Sequence, residues 1–402
     1  MRNLILLTCL LLHFTVHAQP TKNLVSFGQP DSINSGILKE KRTLWIYSPG
    51  VDTNYFEKPA YPVLYVLDGD NFFASFQTMM QLLSTDGNTA FPQMIIVGIL
   101  NTDRMRDLTP TANSAMPNSG GGEQFTAFLE KELIPYIDSK YPTAPYRILF
   151  GHSLGGLLVT NTLLHHSKLF NAYIASDPSL FWNDSRILSN ADSLLQHNQF
   201  NNSYYYLAIA HTMKADLDTI QVRKDNAMGS LHTTAILQFA NKLKRHGNNQ
   251  LKWRYKYYED DHHKSVPFIA AYDALRMIFR KNVFPTYLFT EKTCNPDSLK
   301  TLITEHYKAL TKEMGYPVRP YEWEFNNLGY HNLFEKNYTK AQLFFQLNID
   351  YFPHSYNTYD SMADYYMATG DTAKAVSYWE RALSIKPVPW VKEKLEKVNG
   401  GK

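Results

Sequence analysis

The chain has 402 residues, of which 44% are hydrophobic and 19% are charged, and its formal net charge is +3. The Lys and Arg residues are spread along the chain without a dense basic block, so nucleic acid is not an expected partner. Without a leader, about 380 residues remain, which suffice for one large domain and a small one.

The amino terminus predicts a secretory signal peptide. Arg2 is followed by a nearly uninterrupted apolar run, Leu4–Leu12, which is too short to span a bilayer. We therefore exclude residues 1–18 from the fold and expect a periplasmic or secreted protein. No later stretch has the roughly 20 apolar residues of a membrane helix, so no membrane span is expected. Cys294 then stands alone and cannot form an internal disulfide.

Short β-rich runs alternate with helical patterns over the first two thirds of the chain. Several runs are almost entirely hydrophobic, as in strands that are buried on both faces of a parallel sheet. Segments between them, such as Glu123–Ile137 and Leu231–Gly247, carry apolar side chains on one helical face. This alternation predicts an α/β domain with a mostly parallel sheet over residues 19–284. The predicted strands are Thr43–Ser48, Pro62–Asp68, Gln93–Leu100, Arg147–Phe150, Ala172–Asp177, Tyr204–Ala210 and Lys252–Tyr258.

The end of the chain is self-similar with a period of 34 residues. The matching pairs include Leu328 and Met362, Ala341 and Ala375, Phe345 and Trp379, and Pro353 and Pro387. This period predicts a small all-α tetratricopeptide-like domain over residues 323–402, with ordinary amphipathic hairpins as the alternative. Residues 285–322 are predicted to form a helical connector that packs on the repeats.

The run Gly151-His152-Ser153-Leu154-Gly155 fits the G-x-S-x-G pattern of a nucleophile elbow. A predicted strand precedes it and a helical pattern follows it, which would present the Ser153 hydroxyl on a sharp turn. The flanking glycines let the backbone turn without a Cβ clash. The prediction is a serine nucleophile, and a purely structural turn is the alternative.

A serine nucleophile needs an acid and a histidine base further along the chain, in that order. His262 and His263 follow the strand Lys252–Tyr258, at the same sheet edge as Ser153, and either one is a candidate base. The acid is expected in the loop after Tyr204–Ala210, where it would hold the imidazole in one tautomer. The candidate acids in that loop are Asp216, Asp218 and Asp225. Each of them is alternatively a helix cap or a surface charge.

Two backbone N–H groups would form the oxyanion hole. One belongs to Leu154, which follows the nucleophile, and the other to Gly69 or Asp70, unless their loop is a simple turn. Arg104 and Arg106 follow another predicted strand. They either bind a substrate carboxylate or catecholate or hold their own loop in place.

Metal and cofactor sites are not predicted. The histidines never occur with Cys or with a ligand spacing on one helical face. His165 and His166 are instead expected to end a helix, where a cationic side chain suits the dipole.

Four ordered segments together resemble a known family of α/β hydrolases, which includes enterochelin-esterase-like and esterase-D-like enzymes. The segments are Tyr61–Phe73, Asn101–Thr111, Glu132–Leu157 and Tyr257–Phe279. The similarity covers roughly residues 25–282, and the repeat tail resembles that of a secreted subgroup from Bacteroidetes-type bacteria.

The resemblance implies a doubly wound α/β-hydrolase fold and a carboxylic-ester hydrolase with a Ser-His-Asp arrangement. The family loop has its histidine shortly before Val-Pro, which matches His263 in the run His263–Pro267. It also ranks Asp218 and Asp225 ahead of Asp216.

Family substrates range from cyclic trilactone siderophores to acylated polysaccharides and small thioesters, so a siderophore-type or carbohydrate acyl ester is expected. The alternatives are a catalytically silent scaffold and an acyltransferase. If the protein is a scaffold, the tetratricopeptide-like tail would bind a protein partner. The tail could alternatively mediate a dimer.

Overall fold

The computed structural model of the protein describes residues 27–49, 59–84, 90–200, 203–247, 249–291 and 293–400. An eight-stranded sheet forms the centre of the first domain. Its strands are β1 (Gln29–Ser35), β2 (Glu40–Tyr47), β3 (Tyr61–Val66), β4 (Ile95–Ile99), β5 (Thr143–His152), β6 (Ala172–Ser176), β7 (Tyr204–Ala210) and β8 (Lys252–Tyr258).

The strand order is β1-β2-β4-β3-β5-β6-β7-β8. All pairs from β4 to β8 are parallel, whereas β2 pairs with β1 and β4 in antiparallel fashion. The mostly parallel sheet predicted from the sequence is therefore confirmed. The carboxyl ends of β3 and of β5 to β8 meet at one edge, where open α/β sheets bind their ligands.

Helices cover both faces of the sheet. The helices of this domain are α1 (Gly69–Leu83), α2 (Arg104–Leu108), α3 (Gly122–Phe128), α4 (Ile134–Lys140), α5 (Leu154–His165), α6 (Trp182–Ser189), α7 (Ala191–His197), α8 (Met228–Arg245) and α9 (Val266–Ile278). Successive side chains of a strand point to opposite faces. Val63 and Tyr65 accordingly belong to the core beneath α5 and α8, and Leu64 and Val66 to the core beneath α1 and α9.

The sequence prediction missed β1. Its residues, Gln29–Ser35, are mostly polar and half-exposed, so they show no alternation of apolar and polar residues. The strand is defined by its antiparallel pairing with β2, with which it forms a hairpin.

An all-helical region follows the sheet domain. Its helices are α10 (Tyr287–Thr290), α11 (Pro296–Met314), α12 (Glu322–Phe334), α13 (Tyr338–Tyr351), α14 (Tyr356–Ala368), α15 (Thr372–Ile385) and α16 (Pro389–Gly400). Helices α12 and α14 begin 34 residues apart, as do α13 and α15. The helical domain is confirmed, while its assignment as tetratricopeptide-like stays a prediction.

The connector helix α11 packs on both parts of the protein. Leu299 and Ile303 share an apolar cluster with Phe325 of α12 and Phe344 of α13, whereas Met314 lies in the core beneath α9. Helix α11 thus contacts both the sheet domain and the helical region. The predicted domain boundaries stay predictions.

The predicted signal peptide, residues 1–18, lies outside the described residues, and export stays a prediction. Within the described ranges, no helix combines the length and the apolar character that crossing a membrane requires.

Candidate active site

Ser153 lies on a sharp turn between β5 and α5. Its backbone has φ 58° and ψ −114°, a conformation that L-residues rarely adopt and that costs about 1–3 kcal/mol. A Cβ atom on Gly151 would lie 2.3 Å from the carbonyl oxygen of Gly155, so the turn requires glycine there. The strand, turn and helix around the G-x-S-x-G pattern thus have the order that the sequence predicts. Ser153 Oγ lies 3.1 Å from Ser179 Oγ, with which it shares a hydrogen bond.

Asp177 holds His263 in position. His263 Nδ1 donates a hydrogen bond of 2.6 Å to Asp177 Oδ2, which leaves the Nε2 atom of His263 to exchange a proton. Asp177 comes directly after β6 and is fully buried. It also has a positive φ of 42°, a conformation that Asp tolerates better than most residues.

Further polar groups surround the Asp177 carboxylate. Oδ1 accepts a hydrogen bond from the Ala210 N–H at 2.9 Å, and Oδ2 accepts one from Thr212 Oγ1, also at 2.9 Å. His232 Nε2 lies 3.0 Å from the same Oδ2 atom. His232 belongs to α8 and is buried, so a second imidazole shares the carboxylate with His263.

These contacts keep Asp177 ionised. Burial on its own raises the pKa of a carboxyl group, because it disfavours the charged form. The contacts with His232 and His263 and the Ala210 N–H outweigh burial and hold the pKa of Asp177 well below its usual range. A permanently charged Asp177 is the state that stabilises a protonated imidazole beside it.

The prediction of the acid therefore needs correction. Asp218 accepts hydrogen bonds from the N–H groups of Ile220 and Gln221, and so terminates a turn. Asp225 pairs with Lys214 and Ser230. In the described part of the chain neither residue contacts His263, and Asp216 is a solvent-exposed residue of the same loop. The long loop after β7 carries these three side chains away from the imidazole, whereas the strand end of β6 points Asp177 at it.

Of the two candidate bases, the structure brings His263 to the site. His262 is exposed and its Nδ1 atom accepts a hydrogen bond from the N–H of Lys264, so it shapes the loop. His152, the residue before Ser153, contacts the carbonyl oxygen of His263 through Nε2 at 2.7 Å. This bond ties the loop of His263 to the turn of Ser153.

His152 is held neutral. Burial and the neighbouring His263 lower its pKa from 6.5 to about 4. The neutral ring can donate Nε2–H to the His263 carbonyl oxygen.

The predicted oxyanion donors lie at two neighbouring helix starts. Leu154 is the first residue of α5, and Gly69 and Asp70 are the first two of α1. The first N–H groups of a helix have no acceptor within the helix and carry a partial positive charge. Because β3 and β5 are adjacent and parallel, both helix starts lie at the same sheet edge. Their role as oxyanion donors stays a prediction.

Arg104 contacts residues at this sheet edge, whereas Arg106 pairs with carboxylates elsewhere. Arg104 forms a two-point ion pair with the buried Asp68 (2.6 and 2.9 Å), and its Nη2 lies 3.4 Å from the carbonyl oxygen of His152. Arg106 instead pairs with Glu40 and Asp107, so of its two predicted roles the structure favours holding its own loop over substrate binding. The side chain of Arg104 is 36% exposed, so it remains accessible to a substrate.

Asp177, His232 and His263 also form a group in which a metal ion would find three ligand atoms within 4.8 Å of one another. Two of these atoms face Oδ2 of Asp177 at hydrogen-bond distance. His263 Nδ1 makes a hydrogen bond to this oxygen, whereas His232 Nε2 lies 3.0 Å from it without hydrogen-bond geometry. The sequence expectation that the chain has no metal site stays a prediction.

Sequence reasoning missed four polar neighbours of Ser153 and His263. They are Asp177, His232, His152 and Ser179. Asp177 had a usable signal, because it ends a predicted strand and lies between Ser153 and His263 in the chain. His232 had none, since it sits within an amphipathic helical pattern.

A family model described as "Putative esterase" matches residues 35–271, more than half of the chain. The chain belongs to this esterase family. It is 35% identical over 172 residues to the ferri-bacillibactin esterase of Bacillus subtilis, a match that covers 37% of this chain and 58% of the relative. It is 30% identical over 145 residues to the siderophore triacetylfusarinine C esterase of Aspergillus fumigatus, covering 34% of this chain and 50% of the relative. The chain thus spans roughly half the length of these curated relatives.

A solved structure gives a more complete match. The IroE-like serine hydrolase of Shewanella oneidensis is 30% identical, with a TM-score of 0.67. The alignment covers 80% of this chain and 98% of that protein. The α/β-hydrolase fold of the esterase family members is thereby confirmed for this chain.

Proposed function

We propose that this protein is an exported serine esterase that cleaves carboxylic esters through an acyl-enzyme on Ser153. The observation that carries the proposal is the pairing of a strained serine turn with a histidine, His263, that a buried carboxylate holds at the same sheet edge. Residues placed in rare backbone conformations cluster at sites of chemistry. Membership of an esterase family supports the same reaction.

Each step uses a group already described. His263 Nε2 takes the proton of Ser153 as Oγ attacks the ester carbonyl carbon, and the imidazolium is stabilised by Asp177. The N–H groups of Leu154 and of Gly69 or Asp70 receive the oxyanion of the tetrahedral intermediate. His263 then gives its proton to the departing alcohol oxygen, and the acyl group stays on Ser153. A water molecule, deprotonated by His263, attacks the acyl-enzyme and releases the acid.

The proposed substrate class is a siderophore-type ester. Both curated relatives are siderophore esterases, which supports this class ahead of a carbohydrate acyl ester. Siderophores carry anionic metal-binding groups such as catecholates. Arg104 offers a partly exposed guanidinium at the correct sheet edge for such a group.

The test is hydrolysis of a panel of acetyl, feruloyl and siderophore esters by the wild type and by Ser153→Ala. Ala has the same Cβ as Ser, so the variant adds no backbone strain. Ser179→Ala is the matched control, because it removes the other hydroxyl of the Ser153–Ser179 pair. We expect Ser153→Ala to lose turnover and Ser179→Ala to keep most of it.

Labelling separates the alternatives. A fluorophosphonate probe should add its mass to Ser153 in the wild type, and a trapped acyl group should appear on the same peptide. Full hydrolysis by Ser153→Ala contradicts the mechanism, and a folded wild type without any labelling indicates a silent scaffold. Product analysis with sugar or lipid alcohols present distinguishes hydrolysis from acyl transfer.

A further inference from the structure

A second cavity lies on the outer strand of the sheet, away from Ser153. Its volume is about 600 Å³, and it is bounded by β7, the edge strand β8, the end of α9 and the end of α11. Side chains two apart on a strand share a face, so Lys252, Arg254 and Lys256 all point towards α9. We call this cavity the basic groove.

The charges of the basic groove are strongly unbalanced. Its six cationic side chains are Lys252, Arg254, Lys256, Arg276, Arg280 and Lys281. Its two carboxylates are Asp273 and Glu313. The surplus of four positive charges exceeds the net charge of +3 of the whole chain. The basic groove therefore concentrates the positive charge of an otherwise nearly neutral protein.

The two carboxylates are already shared among four of the cations. Glu313 pairs with Lys252 at 2.7 Å and with Lys281 at 2.5 Å. Asp273 pairs with Lys256 at 2.6 Å and lies 3.6 Å from Arg276.

Arg254 and Arg280 remain without a carboxylate in the part of the chain that the structure describes. Both are exposed, and both line the basic groove together with Tyr204 and Tyr206 of β7. Two guanidinium groups therefore line one cavity with their donors available.

Two general effects explain part of this pattern. Charged residues on an edge strand discourage pairing with other chains, which accounts for the cations of β8. Cations near the C-terminus of a helix interact favourably with the helix dipole, which accounts for Arg280 after α9. Neither effect requires that the cations of β8 and those at the end of α9 face one cavity, where like charges repel one another. A bound anion removes that repulsion.

We propose that the basic groove binds a ligand through a phosphate group. A phosphate carries more charge than a single carboxylate and offers several acceptor oxygens, which suits two guanidinium forks together with lysines. Arg254 and Arg280 make the principal contacts. The ligand is either a soluble diphosphate-type molecule or a phospholipid headgroup, which present the same chemistry.

The experiment measures binding of pyrophosphate to the full chain by isothermal titration calorimetry. The test variant is Arg254→Gln/Arg280→Gln. The matched control is Arg186→Gln/Arg223→Gln, which removes the same charge at exposed positions outside the basic groove. Thermal unfolding shows whether each variant is folded, and ester hydrolysis should stay unchanged in both.

We expect the test variant to bind pyrophosphate at least about 10-fold more weakly than the control, since it loses two charge-assisted contacts. Added salt should weaken wild-type binding, because exposed charges are screened. Binding to phosphatidylcholine vesicles that contain phosphatidate, without binding of pyrophosphate, identifies the lipid as the source and supports the proposal. Three results overturn it: no binding to either probe, equal affinity of the test and control variants, or citrate binding as tightly as pyrophosphate.

Discussion

Replacing Asp177 by Asn tests the corrected acid directly. The two side chains have the same shape, but the amide carries no charge and exposes two donors where the carboxylate exposes only acceptors. In the structure, Oδ1 accepts from the Ala210 N–H, while Oδ2 faces His263 Nδ1, Thr212 Oγ1 and His232 Nε2. Either orientation of the amide therefore places its NH₂ against a donor.

The two orientations have different consequences. With NH₂ towards Ala210, one buried N–H loses its acceptor, which costs about 1–3 kcal/mol of stability. With NH₂ towards His263, Nδ1 must become the acceptor, so the proton moves to Nε2 and the ring no longer accepts one from Ser153. Both lose the charge that stabilises the imidazolium. We expect kcat to fall by about 10³- to 10⁴-fold with a small change in KM, the size seen when a triad carboxylate becomes an amide elsewhere.

The assay is steady-state hydrolysis of a short p-nitrophenyl ester, together with urea unfolding to confirm the fold. Asp218→Asn and Asp225→Asn are the controls, since both residues are exposed or half-exposed and bond within their own loop. Surface changes of this kind alter stability by within about 0.5 kcal/mol, and turnover should stay within about twofold. If Asp177→Asn keeps turnover within about tenfold of the wild type, or if either control loses as much, Asp177 is not the acid.

Substitutions at four further residues test the assignments made in and beside the candidate site. Because burial and His263 lower the pKa of His152 to about 4, the unfolded chain binds a proton between about pH 6.5 and 4 that the native state does not. The free energy of unfolding should therefore fall by up to about 3 kcal/mol as the pH drops through that window. Urea unfolding at several pH values should show that His152→Gln flattens this dependence on pH, and an unchanged dependence argues against the lowered pKa of His152. His232→Phe should lower kcat by about 10-fold at constant KM, and His232→Gln, which retains a donor, should recover part of the lost kcat. A rise in KM with unchanged kcat would contradict a positioning role for His232. Arg106→Gln should lower stability by about 1–2 kcal/mol and leave KM unchanged. Arg104→Gln should raise KM for anionic esters more than for neutral ones. The reverse pattern would refute the assignment of Arg104 to the substrate and of Arg106 to its own loop.

The fold was largely predictable because its signals are local. Several buried strands of the parallel sheet are nearly continuous apolar runs, and seven strands of the eight-stranded sheet were predicted from short β-rich runs alternating with helical patterns. The turn at Ser153 was predictable for the same reason, since strand, glycines and helix follow one another in the chain. β1 was missed because its pairing with β2, and not its own composition, makes it a strand.

The acid was not predictable from order alone. Ser153, an acid and His263 must occur in that order, and both Asp177 and the carboxylates after β7 satisfy it. β6 and β7 are neighbours in the sheet, so their carboxyl ends lie at the same edge. The choice between them depends on how far each side chain lies from its strand end, which is a property of the packed structure.

The position of Asp177 gives His263 a rigid support. Its N–H donates to the carbonyl oxygen of Ala208 at 2.9 Å, and its Oδ1 accepts from the N–H of Ala210 at 2.9 Å, so two bonds to β7 fix its backbone and its carboxylate. An acid on the exposed loop after β7 would instead share the motion of that loop, and a displacement of about 1 Å can reduce turnover about 10²-fold. With Asp177 in this role, the loop that carries Asp218 and Asp225 does not have to hold His263.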